Sequence, residues 1–175
     1  LPTVMDIYKR LGLSGEQLEM LNKNWQEVMN LIKQALPSML IVGSIIISSA
    51  NYWIAHNILK RIKIDIPPIS ISDLRFPPVT ILGFFLSFTL TAIGMNNPKS
   101  FSYQLGINLQ VIFNVLFLLA GLLVINFWLS RWGLPKFARV ILFILIIFQP
   151  IFSMIATWLG VFDTIFKLRK TEENI

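Results

Sequence analysis

Residues 100–130 read SFSYQLGINLQVIFNVLFLLAGLLVINFWLS, thirty-one residues without one Asp, Glu, Lys or Arg. At 1.5 Å per residue a helix of that length extends about 46 Å, against roughly 30 Å of bilayer hydrocarbon. The stretch is read as a membrane helix over 104–130. Three further uncharged stretches lie at 34–59, 76–98 and 140–162. Each reaches the roughly 20 residues that a crossing needs, so helices are expected near 35–59, 78–95 and 138–162. Trp53, Tyr103, Trp128, Trp132 and Trp158 fall near the expected helix ends, as interfacial aromatics do.

Composition carries the same reading across the chain. Of 175 residues, 55% are hydrophobic and 14% charged, with a mean hydropathy of +0.68. Soluble domains carry about 25% charged residues, so this chain cannot cover itself for water. A soluble enzyme and a disordered segment are both excluded. There is no cysteine, which removes disulfides, thiolate metal sites and thiol nucleophiles together. The single histidine, His56, has no carboxylate partner at membrane depth, so neither a metal site nor a proton relay is expected. It is read as an interfacial residue touching headgroups or a loop carbonyl. No phosphate loop, nucleophile elbow or carboxylate pair is present, so the chain is read as non-enzymatic and without a cofactor.

Three units are expected. Residues 1–34 carry four acids and four bases and form an extramembrane amphipathic helix. Ser14 and Gln17 fit a capping box at its start. Leu18, Leu21, Trp25 and Val28 then recur at helical spacing and make an apolar seam, read either as packing on the rest of the chain or as a coiled-coil or partner-docking face. Residues 35–166 form the membrane domain, an all-α bundle of four hydrophobic segments, and 167–175 a polar tail. Pro37 stands where the first two units join.

Connections carry the topology. Lys60, Arg61, Lys63 and Arg75 lie between the first and second stretches, and Arg131, Lys136 and Arg139 between the third and fourth. Only Lys99 separates the second from the third. The positive-inside rule therefore puts loops 60–76 and 131–139 in the cytoplasm and residues 1–34 outside. The net charge of +6 reads as topology and headgroup contact, with no nucleic-acid partner. Four plain crossings would strand the basic tail Lys167–Lys170 outside. Gln149-Pro150 leaves a second possibility, since a break there would make the last segment re-entrant.

Amides and small residues mark the inward faces. Gln110 and Asn114 lie one turn apart, and Phe117 and Gly121 continue their face. An unpaired amide in hydrocarbon costs several kcal/mol, so this face should meet another helix or a ligand cavity. Asn51 and Gln149 are the other amides that such a cavity would gather. Gly83, Ser87 and Thr91 form a small-residue stripe at a spacing of four, which lets a second backbone come close. Asp163, the one acid near a membrane segment, is expected at the interface.

Three runs carry a resemblance. These are Leu36-Pro37 through Ala50-Asn51-Tyr52 to Asn57-Ile58-Leu59-Lys60-Arg61, then Arg131-Trp132-Gly133-Leu134-Pro135-Lys136-Phe137, then Leu159-Gly160-Val161-Phe162-Asp163-Thr164-Ile165-Phe166. They resemble the YybS-like family of uncharacterised bacterial multi-pass membrane proteins, over essentially the whole chain. The usual family ending, Trp-Phe-Asp-Phe-Arg, is replaced here by Ile165-Phe166-Lys167-Leu168-Arg169. The resemblance implies a place in the bacterial cytoplasmic membrane and a distant similarity to the S components of energy-coupling-factor transporters. It also implies that the chain matches the C-terminal part of longer members. With Leu1 in place of Met, the chain is expected to be a processed product or a piece of a longer protein.

The function expected is that of a transport-related subunit, binding a small solute or coupling to partner membrane proteins or to an N-terminal membrane half. The alternative is a structural or regulatory scaffold that docks a partner through the amphipathic helix. A cavity lined by Asn51, Gln110, Asn114 and Gln149 favours the first. An exposed seam on the arm favours the second.

Overall fold

The structure, a computed structural model, describes residues 14–64 and 74–169. Residues 1–13, Pro67-Pro68 in the first connection, and the tail from Lys170 lie outside the described residues. Five helices and no strand are found among the described residues. They are α1 (Gly15–Arg61), α2 (Val79–Gly94), α3 (Phe101–Arg131), α4 (Lys136–Phe148) and α5 (Pro150–Phe166). By length and composition α1 and α3 are each long and apolar enough to cross a membrane. With 16 residues, α2 is shorter, about 24 Å at the helical rise.

Where two units were expected before residue 60, one helix of 47 residues runs unbroken through 34–35 and Pro37. Ser14 caps its start with a reciprocal pair. Gln17 N–H donates to Ser14 Oγ at 3.4 Å, and Ser14 N–H donates to Gln17 Oε1 at 3.0 Å. Pro37 removes one ladder donor and crowds the carbonyl four residues back. The adjacent rung is bridged from another helix. Ser38 N–H donates to Asn108 Oδ1 at 2.9 Å, and Asn108 Nδ2 donates to Gln34 C=O at 2.8 Å. Those two backbone groups are the i→i−4 pair of an unbroken helix, so one carboxamide bridges the ladder beside the proline.

The α3 helix is the hub, packing on α1, α2 and α5 and at fewer points on α4. Against it α2 runs antiparallel: Gly83 faces the Phe113 ring, Gly106 faces Ser87 and Thr91, and Gly94 lies on the Tyr103 backbone. Against α5 the backbones meet. A Cβ on Gly121 would overlap the Ala156 carbonyl, and one on Gly160 would overlap the Phe117 carbonyl. Only glycine permits that approach. Phe84, Phe117 and Val161 form the buried centre, with Ile81 and Phe113 against it.

The last apolar stretch is broken. The axes of α4 and α5 differ by 103° at Gln149, which is extended (φ −101°, ψ 111°). A residue before proline is pushed out of the α region, and Pro150 is suited to the first position of the next helix. Both ends of this hairpin come to the same end of α3. At its start, Arg139 on α4 binds Asn126 of α3. At its finish, Arg169 beyond α5 binds Leu74, which lines the same cleft as Asn126.

Candidate functional site

Polar side chains within the apolar bundle are few, and each has an identifiable task or none. Gln110, half-buried on α3, donates through Nε2 to Thr91 Oγ1 on α2 at 3.2 Å. Thr91 passes its own hydroxyl proton to Ser87 C=O at 2.9 Å. The stripe Gly83, Ser87 and Thr91 therefore lies on the α2 face that meets α3, with Ser87 fully buried.

Asn114 lies one turn from Gln110 but points elsewhere. It is exposed and has no hydrogen-bond partner among the described residues. It borders a cleft of about 480 Å³ between α2, α3 and α5, lined also by Phe84, Phe88, Leu118, Ser153 and Trp158. The hydroxyls of Ser153 and Thr157 in the same wall are turned back to Pro150 C=O and Ser153 C=O. What the cleft offers a ligand is therefore one free carboxamide amid aromatic and aliphatic surface. Gln110, Asn51 and Gln149 do not line it. Asn51 is on an exposed face of α1, and Gln149 is exposed at the start of α5 without a side-chain capping bond.

On the arm, Leu21, Trp25 and Val28 are exposed, with Trp25 at 48%, and Leu18 is half-buried. The seam faces no other described part of the chain. His56 stacks on Tyr52 with ring centroids 6.0 Å apart, and its Nδ1 is buried without a partner. Among the described residues no three metal-ligating side chains gather.

Two contacts tie the hairpin down. Asp163, placed at an interface by its position in the sequence, is 94% buried and holds Arg169, equally buried. Arg169 donates to Asp163 Oδ2 from Nε at 2.9 Å and from Nη2 at 2.7 Å, and its backbone N–H donates to Oδ1 at 3.2 Å. The turn that allows this is Lys167, left-handed at φ 51°, whose N–H donates to Asp163 C=O. Arg169 Nη2 continues to Leu74 C=O at 2.7 Å, and Arg75 Nη2 donates to Arg169 C=O at 3.0 Å. Residues 94 and 95 positions apart are thereby fastened together.

Compared with known proteins, residues 1–164 match a family model described as predicted membrane protein, DUF2232. The chain belongs to the DUF2232 family. It is also 28% identical over 170 residues to the uncharacterized protein YybS of Bacillus subtilis (strain 168). That match takes in 97% of this chain and 54% of the relative, so the chain spans about half the length of the curated relative it matches. No solved structure matches. Membership agrees with the apolar helices: this is a helical membrane protein.

Among the polar contacts of this DUF2232 member that sequence reasoning missed are Asp163–Arg169 and Asn126–Arg139. The second had a signal. Asn126 lies near the end of one helix and Arg139 near the start of the next, across a tight turn at Gly133, so a helical hairpin brings the two to the same level. The first had none, because it depends on Lys167 reversing the chain.

Proposed function

We propose that the chain is a non-enzymatic subunit of a membrane assembly, joined to partner protein through the outer part of α1. The observation that carries this is the uncovered seam. The α1 helix is about 70 Å long, more than twice the hydrocarbon thickness. Its uncharged part, 34–59, accounts for about 39 Å of that. The remaining turns bear Glu16, Glu19, Lys23, Glu27 and Lys33 and stand in water, yet they turn Trp25 and its apolar neighbours to no other described part of the chain. An amphipathic helix with an open apolar face is a recognition element.

Topology follows from charge. The end of the bundle that carries Arg75, Arg131, Lys136, Arg139, Lys167 and Arg169 is the cytoplasmic one under the positive-inside rule, with Lys99 at the opposite end. A re-entrant α4–α5 hairpin brings the tail to that same side and removes the conflict that four plain crossings create. The hairpin also suits a transport-related assembly, since broken helices and irregular backbone at membrane depth persist where they line a cavity or a partner.

A second reading has its own observation. The cleft bordered by Asn114 is large enough for a small solute, and its one free carboxamide would orient such a ligand.

The arm is tested by a photoreactive amino acid at Trp25, cross-linked in the native membrane. A discrete adduct with one partner chain is expected, abolished by Leu21→Asp and retained in Lys23→Asp. Equal adducts in both variants, or none in the parent, would make the arm a solvated spacer.

A further inference from the structure

Where α3 turns into α4, a second cleft of about 300 Å³ is walled by Leu74, Leu119, Leu122, Leu123, Phe143 and Asn126. Its one polar wall group, the Asn126 carboxamide, accepts from Arg139 Nη1 at 3.0 Å. Nε of the same guanidinium is buried and has no partner among the described residues. It also lacks a counter-ion among the described residues. Glu16, Glu19 and Glu27 stand on the outer turns of α1, and the carboxylate of Asp163 is held by Arg169.

The surroundings sharpen the imbalance. Arg139 lies in the first turn of α4, where free N–H groups make a helix end positive and Lys136 adds a second cation. No side chain caps that end. Arg75 follows directly on the wall residue Leu74, and its guanidinium donates to the Arg169 carbonyl. A partly buried cation bonded to the wall of an apolar cleft, with no counter-ion among the described residues, calls for an anion attached to something apolar.

We propose that this cleft binds one anionic phospholipid, with an acyl chain along Leu119, Leu122 and Leu123 and the phosphate on Arg139. Basic pockets between helices on the cytoplasmic side hold such headgroups. A guanidinium suits a phosphate, and the Asn126 bond engages only one of the N–H donors of Arg139. The leucine walls set a lipid apart from a soluble anion, for which they would have no use.

Native mass spectrometry of the full chain, in non-ionic detergent with equal phosphatidylglycerol and phosphatidylcholine, measures the preference. The first phosphatidylglycerol adduct should exceed its phosphatidylcholine counterpart about fivefold, the ratio expected from one extra cation–anion contact. Arg139→Gln should bring the ratio to parity, while Lys99→Gln, at the other end of the bundle, should leave it unchanged. Parity in the unmodified chain would overturn the proposal, and so would undiminished preference in Arg139→Gln. If millimolar inorganic phosphate raises the melting temperature in lipid-free detergent as far as phosphatidylglycerol does, the site belongs to a soluble anion and the lipid assignment fails.

Discussion

Asn108, Gln110 and Asn114 are three carboxamides within two turns of α3, and they face three different situations. Asn108 repairs a neighbouring helix at its proline, with a third bond from Nδ2 to Gln104 C=O at 2.7 Å. Gln110 joins α3 to α2, and Asn114 joins nothing described. Replacing Gln110 by Leu should therefore cost about 0.6–2 kcal/mol, the range of interhelical hydrogen bonds in membranes. Asn108→Leu should cost more, about 2 kcal/mol or above, because it orphans backbone groups as well as losing the bonds. Asn114→Leu should leave the melting temperature in detergent nearly unchanged. The same loss in all three would show that Asn114 has a partner in the folded chain. The sequence supports the general statement that amides at this depth need partners. It does not tell which of two amides one turn apart turns toward α2 and which toward an open cleft, because that depends on the rotation of α3 among three neighbours.

Helices pair here through small residues, and the two interfaces were unequally legible. Gly83, Ser87 and Thr91 stand out in a short, otherwise bulky segment. Ala156, Gly160 and Thr164 repeat the spacing on α5, but the proline six residues before Ala156 hides which way that segment runs. Its direction decides whether α3 can meet it at Gly121. Backbone contact leaves no room for a side chain at that crossing. Gly160→Val should destabilise the protein by about 3 kcal/mol, since overpacking of 1–3 kcal/mol is typical where neighbours can move and here the obstacle is backbone. Gly43→Ala, where an added methyl meets nothing within 4 Å, should instead stabilise α1 by about 0.5–1 kcal/mol. Thermal melting of both variants measures the difference. Similar melting would mean that the α3–α5 crossing opens without cost.

Across the whole molecule, the apolar stretches point to a helical membrane protein, and the charge-free bounds of the second and third fall close to α2 and α3. Two features escaped that reading. The arm and the first membrane segment are one helix, and Asn108, 70 residues beyond Ser38, bridges the Gln34–Ser38 rung that lies beside Pro37. The last stretch, long enough to cross by count, bends by 103° where Gln149 takes an extended backbone before Pro150. Arg169 against Leu74 holds the end of α5 beside the connection that precedes α2. The native chain has no cysteine, so single cysteines can report sidedness without background. In intact cells Lys99→Cys should react with an impermeant maleimide, while Lys63→Cys, Lys136→Cys and Lys167→Cys should react only after permeabilisation. Labelling of Lys167→Cys in intact cells, with Lys63→Cys still protected, would mean that the last segment crosses the membrane and that the hairpin does not return.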